Sequence, residues 1–106
     1  MTKIFLTREN GKIVSFEAKG HSGYAPEGED IVCAAISSVM WATVNGLENV
    51  AKVPVSYTEQ DGFLSCRILG LSDIDREKAD ILLESMADFL FNLAKTYSEY
   101  VAVTEV

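Results

Sequence analysis

Apolar and polar residues alternate near the start of the chain, which is typical of β-strands with one solvated face. We predict strands over Lys3–Thr7 and Lys12–Lys19, joined by Arg8-Glu9-Asn10-Gly11. An Asn-Gly pair is the strongest short-range signal of a hairpin. In the second strand, the residues that alternate with polar ones and therefore share the core face are Val14, Phe16 and Ala18.

A long apolar segment begins at Ile31 and extends to about Val50. It is apolar almost all round at helical spacing, and Asp30 before it is a residue type that caps helix N-termini. We therefore predict a helix that is buried against the sheet, a partner helix or another subunit. Trp41 within it is interpreted as core or as dimer surface rather than as part of a cofactor site.

The second half of the chain again reads as a hairpin followed by a helix. Strands predicted over Val55–Glu59 and Phe63–Leu69 flank Gln60-Asp61-Gly62, whose Asp-Gly pair favours a turn. A long amphipathic helix is predicted to begin at Ser72 or Asp73 and to end near Ser98. Its apolar stripe consists of Ile81, Leu82, Met86, Phe89, Leu90 and Leu93.

A last strand predicted over Val101–Val103 completes the order ββαββαβ. Hairpins imply mostly antiparallel pairing, so the predicted fold class is α+β, with two layers, a mostly antiparallel sheet and two main helices. A chain of 106 residues is long enough for one ordinary domain and too short for two. We expect residues 1–106 to form a single domain.

Sixteen acidic and nine basic side chains give the chain a net charge of −7. Direct binding to nucleic acid is not expected, because its affinity comes largely from Lys and Arg on phosphates. An acidic protein instead attracts basic partners at long range. The N-terminal residues do not form a signal peptide, and no run approaches the roughly 18 apolar residues of a membrane span. We therefore expect a cytoplasmic protein that has free thiols and does not enter a membrane.

The chemistry of the chain is concentrated between the first hairpin and the first helix. A loop rich in glycine and acids begins at Gly20 with the only histidine, His21, and Cys33 follows near the start of the helix. Unpaired N–H groups and the helix dipole favour an anion there, hence a thiolate. His21 is suited to act as its base or ion-pair partner. The N–H groups of Cys33 and Ala34 are candidate donors to the oxyanion of a tetrahedral intermediate.

Each of these residues also has a purely structural interpretation. Cysteines on apolar helices often pack as small hydrophobic groups, and a histidine in a loop often has no chemical role. Asp30 is sufficiently explained as an N-cap, although it is also suited to orient His21 or to bind a basic substrate side chain. Ser37 shares a helical face with Cys33, four residues earlier, so it is placed to contact substrate or loop. Cys66 is expected in the core, and no metal site is expected because the chain lacks a zinc-ligand pattern.

These residues resemble the motifs of the ribosomal-processing cysteine protease (Prp) family. The resemblance rests on Gly20-His21-Ser22-Gly23-Tyr24-Ala25 and on Asp30-Ile31-Val32-Cys33-Ala34-Ala35-Ile36-Ser37, at the separation that the family shows. It extends through the ββαββαβ order over nearly the whole chain. It implies a cysteine endopeptidase that consists of one protease domain, uses no cofactor and forms a homodimer.

The resemblance also implies a substrate and roles for particular residues. The implied substrate is the basic N-terminal extension of large ribosomal subunit protein twenty-seven. His21 corresponds to the catalytic base and Cys33 to the nucleophile. Supporting or substrate-binding roles fall to Gly20, Asp30 and Ser37.

Two further hypotheses accompany this interpretation. The glycine-rich loop 20–28 is expected to be a mobile lid that a bound peptide orders. The alternative function is a non-catalytic, acidic, ribosome-associated protein that holds basic arms without cutting them. A thiol-dependent redox or acyl-transfer enzyme is a third class, and the absence of a CxxC motif weakens its redox form.

Overall fold

Two helices and five strands follow one another in the predicted order in the computed structural model, which describes residues 1–106. The elements are β1 (Thr2–Glu9), β2 (Lys12–Lys19), α1 (Ile31–Asn45), β3 (Val55–Gln60), β4 (Phe63–Ile68), α2 (Asp73–Thr96) and β5 (Val101–Glu105). A π-helical turn over Gly46–Val50 continues α1, so the helical segment reaches the predicted end. The α+β class and the order ββαββαβ are confirmed, and β1 and β5 are longer than predicted.

The two hairpins meet in the middle of one open sheet with the strand order β3-β4-β2-β1-β5. All pairs are antiparallel except β1 with β5, which is parallel. The register of β2 against β4 places Lys19 opposite Phe63. The turn of the β3–β4 hairpin therefore lies beside the loop that leaves β2, where the candidate histidine follows.

One hydrophobic core contains residues of the sheet and of both helices. The fully buried side chains of the sheet include Ile4, Leu6, Phe16 and Cys66, and those of the helices include Met40, Leu83 and Leu90. The predicted burial of the first helix is confirmed along one face, through Val32, Ile36, Met40 and Val44. The apolar residue that begins the helix, Ile31, is exposed.

Ile31–Val50 is the one helical segment long and apolar enough to cross a membrane, with a mean hydropathy of 1.4. The expectation that no segment is long and apolar enough to span a membrane is therefore wrong by the criteria of length and composition. Ile36, Met40 and Val44 of this segment are buried in the protein's own core. In all, 39% of the apolar window is buried inside the protein.

A β-bulge in the first hairpin changes which residues of β2 face the core. The pairing with β1 shifts between Thr7 and Arg8, which leaves Val14 without an opposite residue. One extra residue on a strand reverses the side on which the following residues point. Ile13 and Phe16 therefore both face the core, whereas Val14 is only half-buried. The prediction is confirmed for Phe16 and Ala18 and wrong for Val14.

The buried face of α2 also differs from the prediction. Met86 and Leu90 lie in the core as predicted, but Ile81 is 73% exposed and Phe89 is 41% exposed. Ala79, Leu83 and Ala87 take their places in the core. Ile81 lies two residues from Leu83, about half a turn round the helix, so both cannot face the sheet. The predicted core position of Ile81 is wrong, and Phe89, which the sequence assigns to the core or to a dimer surface, lies at the surface.

Candidate active site

Gly20 directs the chain out of the sheet at the end of β2. Its φ of +85° lies in the left-handed region, and a Cβ there would stand 3.0 Å from the carbonyl oxygen of Met1. Its N–H donates to the carbonyl oxygen of Gly62 at 2.8 Å, which ties the loop to the β3–β4 turn. A side chain would strain the backbone and collide, so glycine is required here. The next residue, His21, is thereby held over that turn.

Asp30 holds the other end of the loop and caps α1. Its Oδ1 accepts the N–H groups of Val32 and Cys33, both at 2.9 Å. Its Oδ2 accepts the hydroxyl of Ser22 and the N–H of Ala25. The N-cap interpretation of Asp30 is confirmed. All of the hydrogen-bond donors to this carboxylate come from the loop and the helix start, and none comes from His21.

The pKa of the Asp30 carboxyl reflects this setting. Desolvation by burial raises the pKa, but hydrogen bonds from Ser22 and from three backbone N–H groups outweigh it and lower the pKa from 3.8 to about 2. A folded-state pKa below the unfolded value means that ionised Asp30 stabilises the fold at neutral pH. This contribution is present above the unfolded value of 3.8 and is lost as the pH falls towards 2.

We expect Asp30→Asn to lower the free energy of unfolding at neutral pH by about 1–2 kcal/mol, allowing for partial solvent screening. Asparagine still caps the helix but carries no charge, so the difference from the wild type should shrink as the pH falls to about 2. Denaturant unfolding of both proteins at several pH values between about 2 and 7 measures this difference in the free energy of unfolding. Glu99→Gln, which also replaces a carboxylate by an amide but at an exposed position after α2, is the control. A difference that is independent of pH would contradict the role of the ionised carboxylate.

Cys33 is the third residue of α1 and is half-buried, and its Sγ accepts the N–H of Ser22 at 3.3 Å. The second cysteine has a different environment. Cys66 is fully buried, and both desolvation and the negative charge of Glu48 raise its pKa to about 12. Both cysteines are free thiols. The core position predicted for Cys66 is confirmed, which leaves Cys33 as the accessible thiol.

The predicted oxyanion donors are already engaged within the helix cap. The N–H of Cys33 donates to the Asp30 carboxylate, and the N–H of Ala34 donates to the Asp30 carbonyl oxygen at 3.1 Å. The prediction that these two N–H groups are free is wrong. The backbone donor that faces the sulfur belongs instead to Ser22, in the loop.

His21 lies against the β3–β4 turn. Its Nε2 is 3.9 Å from Oδ1 of Asp61, and the two side chains are 57% and 84% exposed. A contact between two side chains this exposed adds little to the stability of the fold. Gly62 has a φ of +67°, and a Cβ on it would lie 3.0 Å from Nε2. The turn therefore forms a wall whose glycine leaves room for the imidazole ring.

Two adjoining cavities, of about 290 and 380 Å³, meet at His21, Glu27, Cys33 and Ser37. The first extends along α1 and the β3–β4 hairpin, and the second lies under the loop and the start of α1. Gly20 lines the first cavity and Asp30 lines the second. The structure thus brings all five residues singled out from the sequence to one place.

Trp41 was placed in the core or at a dimer surface, and the structure refines that interpretation. It packs against the core and also lines the first cavity. Its Nε1 donates to Oε2 of Glu59 at 3.2 Å. The sequence contained a signal that Trp41 lies beside the candidate nucleophile. Cys33, Ser37 and Trp41 are spaced by four residues and so share a helical face. No local signal pointed to Glu59 or Asp61, which the sheet brings from a distant part of the chain.

An accessible thiol at a capped helix start, with an imidazole lining the same cavities, is the equipment for nucleophilic catalysis by a cysteine. The chain matches the sequence profile described as Cysteine protease Prp over residues 1–102. It belongs to this family of cysteine proteases.

Individual proteins resemble this chain in sequence or in fold. The ribosomal processing cysteine protease Prp of Bacillus subtilis (strain 168) is 30% identical, in an alignment covering 98% of this chain and 96% of that protein. A solved structure from Streptococcus mutans is 31% identical, with a TM-score of 0.83 over 100% of this chain and 94% of the other. The Prp protease of S. aureus, crystallised with a covalently linked product peptide, is 24% identical and shares the fold with a TM-score of 0.90 over 100% of both chains.

Proposed function

We propose that this protein removes the N-terminal extension of large ribosomal subunit protein twenty-seven, with Cys33 as nucleophile and His21 as base. The observation that carries this proposal is that both side chains line two cavities that meet at the thiol. An endopeptidase must hold its substrate on both sides of the scissile bond, and two adjoining cavities accommodate both sides. The names of the relatives support ribosomal processing, and the S. aureus protease has been crystallised with a substrate peptide.

The proposed reaction follows from these groups. His21 takes the thiol proton, and the Cys33 sulfur attacks the carbonyl carbon to form a tetrahedral intermediate. As the C–N bond breaks, the imidazolium gives its proton to the departing amine. The acyl group then remains on Cys33 as a thioester. His21 then deprotonates a water molecule that attacks the thioester. Breakage of the C–S bond releases the acid product and returns the proton to the thiol.

Charge supports a basic substrate. Glu27, Glu59 and Asp61 line the first cavity, which no lysine or arginine lines, and the whole chain carries a net charge of −7. A negative cleft attracts a basic peptide and raises the rate of encounter. Salt screens this attraction, so cleavage at low substrate concentration should slow as ionic strength rises.

The lid expected over residues 20–28 is anchored in its first half. Ser22 and Ala25 are bonded to Asp30, and the ring of Tyr24 packs edge-on against Tyr97 and Tyr100 at 5.6 and 5.3 Å. The lid over residues 20–28 stays a prediction, and a movement of its first half that carries His21 towards Cys33 would have to break these contacts.

The test is to incubate the purified protein with a peptide that spans the extension and the first mature residues, and to follow the products by mass. We expect a single cut at the junction, and no cut in a peptide of the same composition in scrambled order. A folded wild-type protein that binds the peptide without cutting it would contradict the proposal and favour the non-catalytic binding protein. A cleavage rate that does not respond to salt would contradict only the electrostatic attraction of the substrate and would leave the proposed cleavage standing.

The homodimer and the cytoplasmic location also stay predictions. We propose that a second copy of the chain covers the apolar side chains exposed on α2, which are Ile74, Ile81 and Phe89. A molar mass in solution equal to that of one chain, 11.6 kDa, would contradict the dimer.

A further inference from the structure

We propose that Ser22 is a positioning residue for the nucleophile: its hydroxyl, bound to Asp30, holds its own backbone N–H against the Cys33 sulfur. This inference rests on the proposed role of Cys33. It assigns a function to a residue whose neighbour in the chain, His21, is the candidate base. Ser22 itself need not touch the substrate for this role.

The polar groups of Ser22 connect the loop with the helix start. Ser22 is only 2% exposed, although the residues on both sides of it are exposed. Its N–H donates to Sγ of Cys33 at 3.3 Å, and its hydroxyl donates to Oδ2 of Asp30. The hydroxyl oxygen also accepts the N–H of Tyr24 at 3.2 Å. A buried serine with both its N–H and its hydroxyl engaged has one fixed orientation.

The Asp30 carboxylate links this serine to the cysteine. One oxygen of the carboxylate accepts the N–H of Cys33, and the other accepts the hydroxyl of Ser22. The hydroxyl is the only side-chain donor to Asp30, since its other donors are backbone N–H groups. The two oxygens of the rigid Asp30 carboxylate therefore fix the distance between the loop at Ser22 and the helix start at Cys33. The donor N–H and the acceptor sulfur are held together as a result.

The same contact has a chemical consequence. A hydrogen bond to a charged acceptor is about twice as strong as one between neutral groups. The Ser22 N–H therefore stabilises the thiolate more than the thiol, and it does so at the reacting atom. The N–H groups at the helix start do not serve this purpose, because those of Val32, Cys33 and Ala34 are bonded to Asp30.

Ser22 also restrains His21. The backbone before His21 is held by the bond from Gly20 to Gly62, and the backbone after it is held by the bonds of Ser22 to Cys33 and Asp30. The candidate base thus lies between two anchored residues. Loss of the second anchor would loosen base and nucleophile together, which reduces turnover more than substrate binding.

The experiment compares Ser22→Ala and Ser22→Thr with the wild type. Alkylation of Cys33 by iodoacetamide is followed by mass as a function of pH, without substrate. We expect Ser22→Ala to move the midpoint of the alkylation profile upward by about 0.5–1 pH unit, because the thiolate loses its held donor. Its kcat for the extension peptide should fall about 5–10-fold with KM little changed, and Ser22→Thr should retain both properties. Ser56→Ala, exposed on the edge strand β3 and outside both cavities, is the control for a serine hydroxyl without a role.

A purely structural role would lower the free energy of unfolding and leave the alkylation midpoint unchanged, and that outcome would overturn the inference. A measurement on the wild type avoids any folding defect of the variants: the amide proton resonance of Ser22 should titrate with the midpoint of Cys33 alkylation. An amide resonance that does not respond would equally overturn it. If the alkylation profile shifts but no extension peptide is cut, the proposed substrate is wrong and the positioning role of Ser22 stands.

Discussion

Replacing Cys33 by alanine is expected to reduce cleavage of the extension peptide by at least about 10³-fold, because Cys33 is the one thiol that lines the two cavities. The free energy of unfolding should change by no more than about 1 kcal/mol. The side chain is half-buried, and the hydrogen bond that it loses is the one from Ser22. Cleavage measured by mass and unfolding by denaturant give the two quantities.

The matched control is Cys66→Ala, which should show the reverse pattern. Cys66 is fully buried in β4, so its truncation is expected to destabilise the fold by about 1–2 kcal/mol and to leave cleavage intact. Iodoacetamide should label the wild type at Cys33 alone in the folded state. Cleavage retained by Cys33→Ala would mean that Cys33 is a structural residue, and the assignment of the nucleophile would be wrong.

Replacing His21 by alanine is expected to lower kcat about 10²–10⁴-fold, which is the usual contribution of a positioned general acid–base group. His21 is more than half exposed, so the fold should be little affected. Added imidazole should restore part of the activity by acting as the base in place of the missing side chain. An unchanged kcat, or a rate that imidazole does not raise, would contradict the role of His21 as base.

Gly62→Ala tests the position of the imidazole while keeping it in the protein. The added Cβ would lie 3.0 Å from Nε2, so the ring must move away from the turn. We expect kcat to fall about 10-fold, which is less than for His21→Ala. A base displaced by a few tenths of an ångström still transfers protons, but less efficiently than one in the correct position. A kcat equal to that of the wild type would show that the turn does not position His21. The control is Gly11→Ala in the turn of the other hairpin, because an alanine there also takes a positive φ (+78°) but its Cβ meets no atom within 4 Å.

Local patterns determined most of the secondary structure. Alternation and the Asn-Gly and Asp-Gly turns predicted both hairpins, and Asp30 marked the start of α1, where the structure finds it as the cap. The same patterns were wrong for Val14 and Ile81. A bulge depends on the partner strand, and α2 carries apolar residues on more than one face, so only packing selects which of them are buried.

The candidate chemistry was also visible in the sequence. His21 is the only histidine, and Cys33 follows a helix-capping aspartate, so residue type and spacing were enough to single out both. Trp41 carried a usable signal through its four-residue spacing from Ser37. The oxyanion donors predicted at Cys33 and Ala34 were wrong, because spacing does not show whether a backbone N–H is already bonded.

By itself the sequence determined the two hairpins, the two helices, the capped helix start and the pair of candidate catalytic residues, since each of these depends on neighbours within a few positions. Only the tertiary structure decided that Asp61 and Gly62 stand beside His21, because the register of β2 against β4 joins segments about 40 residues apart in the chain. It also decided that the Ser22 N–H faces the sulfur. The orientation of one N–H group depends on the two hydrogen-bonded ends of its loop, and no local pattern encodes that closure.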